Sequence, residues 1–151
     1  MSTLDYKIPK LEVKAEIFTD HSGTHPENFF LFLSEYSRYR KGPETIFEFL
    51  NKGKAFIPLR NASTGSFIVL NVTEIIYLKE DNETRIPPSV KQVKLYLKNH
   101  LDLVVDHFKP LPDSQSRVLD YLNDKNQFIV FFHEGCKIYI NKEKILKVEE
   151  S

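Results

Sequence analysis

The order of apolar and polar positions repeats once along this chain. The segment 46–59, IFEFLNKGKAFIPL, returns as 118–131, VLDYLNDKNQFIVF, and the segment 65–80 returns as 135–150. The numbering offset is 72 for the first pair and 70 for the second, so the length difference falls in a turn between two apolar runs. Turns accept such changes at a low cost in free energy. The pattern therefore predicts a tandem duplication.

Each copy predicts the element order strand, strand, helix, strand, strand, strand. Residues 11–19 alternate apolar and polar side chains, which is typical of a strand with one exposed face. Five short strands in about 65 residues usually curl into a small barrel, because closure removes unpaired edges. We expect an α+β, mostly β fold of two small barrels packed on one another. One sheet shared across a pseudo-two-fold axis is the alternative that the pattern leaves open.

The helix of each copy is short and has predicted boundaries. Apolar side chains at 46, 47, 49 and 50 fall on one side of a helix. Gly42-Pro43-Glu44 is expected to open this helix, since proline suits a first helical turn. Asp113 or Ser114 is expected to cap the second helix. Each helix is expected to close at an asparagine.

The two copies define the domain organisation. Residues 1–10 are a polar lead-in and 11–80 form the first small-barrel repeat. Residues 81–89 are a charged linker that contains Pro87-Pro88, and 90–151 form the second repeat. We expect neither repeat to bury a large core alone, so the interface between them should be apolar and permanent.

The end of each copy resembles a known kind of small β domain. In IYINKEKILKVEE (138–150) two strands are followed by a tight asparagine-marked turn and a last short strand, as in Sm-like (LSm-like) small barrels. The same pattern is similar to an uncharacterised bacterial family of small β domains. The resemblance covers 44–80 and 116–150 and implies a small-barrel fold for each copy. Sm-like proteins place their helix before the first strand, whereas here it follows the second, and no functional residue is carried over.

Composition excludes several broad classes. The chain has 21 basic and 21 acidic residues, so no global field attracts nucleic acid or an acidic membrane. One cysteine allows no internal disulfide, which fits a reducing compartment. The N-terminal segment MSTLDYKIPK lacks an apolar stretch, and no run approaches the ~20 apolar residues of a membrane helix. We expect a cytoplasmic protein with no membrane partner.

Two segments suggest contacts with nucleic acid or a nucleotide. One connection alternates aromatic and basic side chains that could stack on bases and hold phosphates; these are Tyr36, Arg38, Tyr39, Arg40 and Lys41. The segment Asn61-Ala62-Ser63-Thr64-Gly65, next to Arg60, resembles the NxSxxG loop of PilZ domains, which bind a cyclic dinucleotide. It is one residue short, and the alternative is a hairpin turn made of ordinary turn residues.

Two further clusters could carry chemistry. His21 and His25 lie in one loop, but a zinc site normally needs three or four protein ligands. His133 and Cys136 place a thiol near an imidazole, but nucleophilic catalysis would also need a stabilised thiolate and an oxyanion site. In both cases we expect an ordinary turn. We predict no metal and no cofactor.

The comparison of the copies favours a function without catalysis. Every candidate polar cluster occurs in one copy only, whereas a shared active site should recur in both. The recurring polar positions are asparagines with expected cap or turn roles: Asn51 with Asn123, and Asn71 with Asn141. We predict a non-catalytic interaction or regulatory module whose partner is a protein, either another copy or a different chain. The alternative is an RNA- or nucleotide-binding protein that uses 36–41 and the turn 60–65.

Overall fold

The computed structural model describes residues 10–83, 91–107 and 118–150, which form one sheet of ten antiparallel strands and two short helices. The strands are β1 (Lys10–Thr19), β2 (Glu27–Ser34), β3 (Phe56–Asn61), β4 (Phe67–Asn71), β5 (Ile75–Glu83), β6 (Lys91–Leu97), β7 (Leu101–His107), β8 (Phe128–His133), β9 (Cys136–Asn141) and β10 (Ile145–Glu150). The helices are α1 (Ile46–Leu50) and α2 (Val118–Leu122), and 3₁₀ turns occupy Val72–Glu74 and Lys142–Lys144. The protein is therefore mostly β.

The two halves of the sheet have the same internal order. The strands lie in the order β10-β6-β7-β8-β9-β5-β1-β2-β3-β4. Each half thus begins with its last strand and continues with its first to fourth strands. The element order within each half is the predicted one, and the halves meet where β5 pairs with β9.

The expected pair of separate barrels is wrong. The described strands form one open sheet, because β5 and β9 pair with each other instead of closing their own halves. That pairing satisfies the backbone groups of both strands, which are the groups that closure would have satisfied. The alternative of a shared sheet is correct, but its junction joins unlike strands and so lacks a two-fold axis.

The sheet is open but strongly curled. The turn after β6 reaches the turn after β1, although several strands separate them in the sheet. The side-chain amide of Asn99 donates to the carbonyl oxygen of Asp20 at 3.1 Å. Lys144 forms an ion pair with the Asp20 carboxylate at 2.6 Å. The curl therefore brings polar turns of the two halves into contact.

Both hydrophobic cores contain residues from both halves. Phe128 and Tyr139 of the second half are buried in the core that α1 and the strands of the first half build. Phe18, Ile76 and Tyr77 of the first half are buried in the core of the second half. The apolar interface expected from the sequence is therefore present, and it is continuous with the cores themselves.

Local signals fix the helix and turn boundaries. α1 begins after Thr45, whose hydroxyl accepts from the Glu48 N–H while the Glu48 carboxylate accepts from the Thr45 N–H. This capping box, and not Gly42-Pro43-Glu44, opens the helix. The expected closure at Asn51 is confirmed, since its N–H donates to the Phe47 carbonyl.

Several of the predicted segments lie partly or wholly outside the described residues. Asp113 and Ser114 lie outside them, as do residues 1–9 and 84–90. β5 continues through Glu83, into the start of the predicted linker 81–89. None of the described helices is long and apolar enough to cross a membrane.

Candidate interaction surface

The edge strand β4 exposes apolar side chains beside an unpaired backbone. Phe67 and Val69 have 74% and 70% of their surface exposed, and Phe56 on neighbouring β3 has 55% exposed. Two backbone hydrogen bonds flank the β3–β4 pairing. The Asn61 N–H donates to the Ser66 carbonyl, and the Val72 N–H donates to the Ala55 carbonyl. Because hydrogen-bonded pairs alternate along an antiparallel ladder, residues 67, 69 and 71 direct their N–H and C=O groups away from β3. This edge can therefore accept another strand.

The opposite edge, β10, borders an apolar groove. Leu146 has 66% of its surface exposed. A depression of about 340 Å³ lies between β10 and α2. Its lining consists of Leu119, Leu122, Ile145, Leu146, Lys147, Val148 and Glu150. The edge thus offers backbone groups and an apolar cleft at the same place.

Sequence reasoning did not single out either edge. β4 and β9 are both short, continuous apolar runs, and such a run predicts a strand that is covered on both faces. β9 is covered on both faces, since Ile138, Tyr139 and Ile140 are buried. In β4 the equivalent middle residue, Val69, is exposed. The apolar run that β4 and β9 share was the sequence signal for this surface. Only the strand order shows that β4 lies at the end of the sheet whereas β9 lies inside it.

The predicted nucleic-acid segment 36–41 forms an exposed connection between β2 and α1. Tyr36 and Tyr39 are each 72% exposed, and Arg38 and Lys41 are also exposed. Arg40 is exposed as well, but it donates to the carbonyl oxygens of residues 41 and 43 and lies 3.6 Å from the Glu48 carboxylate. A hydrogen bond from the Ser37 hydroxyl is the main cause that lowers the pKa of Glu48. Arg40 therefore holds the loop, and the other side chains face solvent.

The second predicted segment lies elsewhere. Arg60 forms a 2.7 Å ion pair with Glu12 and covers the ring of Phe30. The Asn61 side chain accepts from the N–H groups of residues 63 and 64, so Ser63 belongs to a side-chain-stabilised hairpin turn. Phe29 lies opposite Asn61, whereas segment 36–41 follows the far end of β2. At ~3.3 Å per strand residue, the end of β2, from which segment 36–41 departs, lies about 17 Å from Phe29. The structure does not bring them together.

The two histidines of the β1–β2 turn do not assemble a metal site. His21 and His25 are exposed. Within the three described ranges, no group of three or more histidine, cysteine or acidic side chains could hold a metal ion. The turn instead uses Asp20 to contact the second half of the sheet.

The imidazole of the predicted thiol cluster contacts a lysine and a glutamate. His133 and Cys136 face each other across the β8–β9 turn. The Nδ1 atom of His133 lies 3.1 Å from the Lys79 ammonium, which also pairs with Glu134 at 2.8 Å. Burial and then the Lys79 charge lower the pKa of His133. A lowered pKa favours the neutral imidazole, which lacks the positive charge by which an imidazolium stabilises a thiolate.

Comparisons of the chain with protein-family models, with curated proteins and with solved structures gave no match. The resemblance to Sm-like and bacterial small β domains therefore stays a prediction.

Proposed function

We propose that this protein is a non-catalytic interaction module that binds protein partners by strand addition at the edges of its sheet. The observation that carries the proposal is the exposed apolar edge β4, with Phe67 and Val69 beside backbone groups that face outward. Proteins commonly protect an edge strand with charges, proline or a bulge. β4, FIVLN, contains none of these.

Strand addition would use the features found at both edges of the sheet, β4 and β10. Main-chain hydrogen bonds supply affinity, and pockets for alternate side chains supply specificity. β4 offers Val69 and Phe67 as alternate exposed side chains, and β10 offers a groove.

Site-specific photo-cross-linking in cells tests this function. A photoreactive phenylalanine analogue at position 69 should cross-link to protein, with the products identified by mass spectrometry. The matched control places the same analogue at Val104, which is 53% exposed on the interior strand β7. Equal or absent cross-linking at the two positions would overturn edge-mediated binding.

RNA binding is the second candidate, and the exposed loop 36–41 supports it. Two tyrosines that are 72% exposed alternate there with basic side chains, so stacking and phosphate contacts could occur together. The turn at Asn61 and Ser63 is too distant to share such a site, so the candidate rests on one loop.

Titration with unstructured single-stranded RNA tests this candidate. Replacement of Tyr36 by Ala should weaken binding about tenfold, because a stacked base is worth ~1–3 kcal/mol. Arg38→Ala should weaken binding and reduce its salt dependence. Lys125→Ala, at an exposed position in the connection between α2 and β8, is the charge-matched control. Equal losses in Arg38→Ala and Lys125→Ala would indicate nonspecific attraction.

A further inference from the structure

The junction inside the chain is a head-to-tail contact between equivalent units. Each half of the sheet has one edge of the β5 type and one edge of the β4 type, because β10 corresponds to β5 and β9 to β4. The internal junction uses β5 and β9. The corresponding strands β10 and β4 end the sheet. A contact of this kind leaves a complementary pair of edges at its two ends.

The recurring asparagines hold this junction. The Asn51 side chain donates to the Phe128 carbonyl at 3.1 Å and accepts from the Phe128 N–H at 2.8 Å. The side-chain amide of Asn141 donates to the Ile75 carbonyl at 3.0 Å. Cap and turn roles therefore account for only part of the bonding of each asparagine.

The equivalent asparagines lie at the open ends. Asn123 corresponds to Asn51, is exposed, and closes α2 with its backbone N–H. Asn71 corresponds to Asn141, which is fully buried, but Asn71 itself is only partly buried. The Oδ1 atom of its side chain accepts from the backbone N–H of residue 73 and caps the 3₁₀ turn, as the Oδ1 atom of Asn141 accepts from the N–H of residue 143. Both open ends thus have the side chain that the junction uses.

The apolar parts of the junction also recur at the ends. Phe128 and Tyr139 fill the first core next to Leu50 and Leu78. Their equivalents, Phe56 and Val69, are exposed on β3 and β4. At the other end, Leu122 and Val148 correspond to Leu50 and Leu78, and both line the groove beside β10. One end therefore presents the inserted side chains, and the other presents the cleft that would receive them.

The charges at the ends are complementary. Asp20 of the first half pairs with Lys144 of the second half at 2.6 Å. By strand register Lys98 corresponds to Asp20, since Ile17 lies opposite Leu78 as Leu95 lies opposite Val148. Glu74 corresponds to Lys144. The external pair is therefore Lys98 with Glu74, an ion pair of reversed polarity.

From these correspondences we infer that the partner of this interaction module is a second copy of the chain, joined head to tail. β4 of one copy pairs antiparallel with β10 of the next, with Val69 opposite Val148 and Leu70 opposite Lys147. Phe56 and Val69 enter the groove beside α2. Asn123 bonds the backbone of Phe56, and Asn71 bonds the carbonyl of residue 145. The assembly closes as a ring or continues as a filament.

Light scattering on the purified full chain with two edge variants tests the inference, which rests on the proposed function. Val69→Lys blocks the β4 edge and Leu146→Lys blocks the β10 edge, both at exposed positions. Wild type and the Val104→Lys control should have masses of two or more times the 17.7 kDa of one chain. Each edge variant should be a monomer. Their equimolar mixture should form a heterodimer, because each variant retains the edge that the other lacks.

A second variant tests the role of the asparagine. Asn123→Ala should weaken association about tenfold, since two hydrogen bonds to a neighbouring backbone are lost. A monomeric wild type, or a mixture of edge variants that stays monomeric, would overturn head-to-tail self-association. Position-69 cross-links to a different protein would then show that edge binding itself holds. If wild type is monomeric and position 69 also forms no cross-link to any protein, the proposed function is overturned as well.

Discussion

Asn51 shows how one side chain can serve a local and a tertiary role together. Its backbone N–H and its side-chain amide both reach the Phe47 carbonyl and close α1. The same side chain forms two hydrogen bonds with the backbone of Phe128 in the other half. The local role could be predicted from the sequence, because an asparagine with a glycine two residues later, here Gly53, is typical of a helix end. The tertiary role could not, since residue 128 is distant in sequence.

Replacement of Asn51 by Ala should lower the free energy of unfolding by about 1–3 kcal/mol, because the buried N–H of Phe128 loses its acceptor. The equivalent change Asn123→Ala should have little effect on a monomer. Urea denaturation of both variants in the Val69→Lys background, where association does not contribute, measures the difference. Equal destabilisation by the two changes would contradict the assigned role of Asn51.

His133 should make the stability depend on pH in the weakly acidic range. Burial and the Lys79 charge lower its pKa below the ordinary value of 6.5. As the pH drops below about 6.5, His133 therefore binds a proton more readily in the unfolded chain than in the folded chain. The free energy of unfolding falls over this range. Thermal unfolding between about pH 7.5 and 5.5 should show a smaller decrease for His133→Gln than for wild type. His25→Gln, on the exposed β1–β2 turn, is the matched control, and unchanged slopes in His133→Gln would contradict this account.

At the scale of the element, the short helices depend on their ends. α1 has five residues, so propagation adds little and its stability comes from its cap and from the burial of Ile46, Phe49 and Leu50. The capping box of Thr45 and Glu48 satisfies two backbone donors at the start. The sequence contains this TxxE capping motif at residues 45–48, but Pro43 predicts an earlier start for the helix. The apolar side of the helix was predicted correctly.

Thr45→Ala should lower the free energy of unfolding by about 1 kcal/mol through loss of the cap. Thr73→Ala removes a threonine of the exposed 3₁₀ turn that bonds only a neighbouring side chain, and it is the control. Denaturant titration compares the two variants. An equal and small effect in both would show that the cap does not determine the position of α1.

At the scale of the whole molecule, the two halves share their cores. Phe128 and Tyr139 complete the first core, and Phe18 and Ile76 complete the second. Removal of either half would expose apolar surface in the other. The repeats are therefore units of sequence and topology whose stability is coupled through β5 and β9.

Native-state hydrogen exchange should reveal one cooperative unfolding transition. Amides of β2 in the first half and β8 in the second should converge on the same free energy as denaturant rises, because both cores cross the junction. Exchange measured by NMR at increasing urea concentrations gives the comparison. Two separate transitions would show that the repeats unfold independently and that the junction is weak.

The sequence by itself determined the repeated element order, the mostly β class and the apolar interface between the copies. These follow from alternation, apolar runs and turn residues, which act between near neighbours in the chain. Tertiary structure alone decided that β5 pairs with β9, so that the halves share one open sheet. It also decided that Val69 is exposed while Tyr139 is buried, and that Tyr36 and Ser63 lie far apart. Local patterns are the same in both copies, and they cannot specify which strand edges meet, because that choice depends on contacts between distant residues.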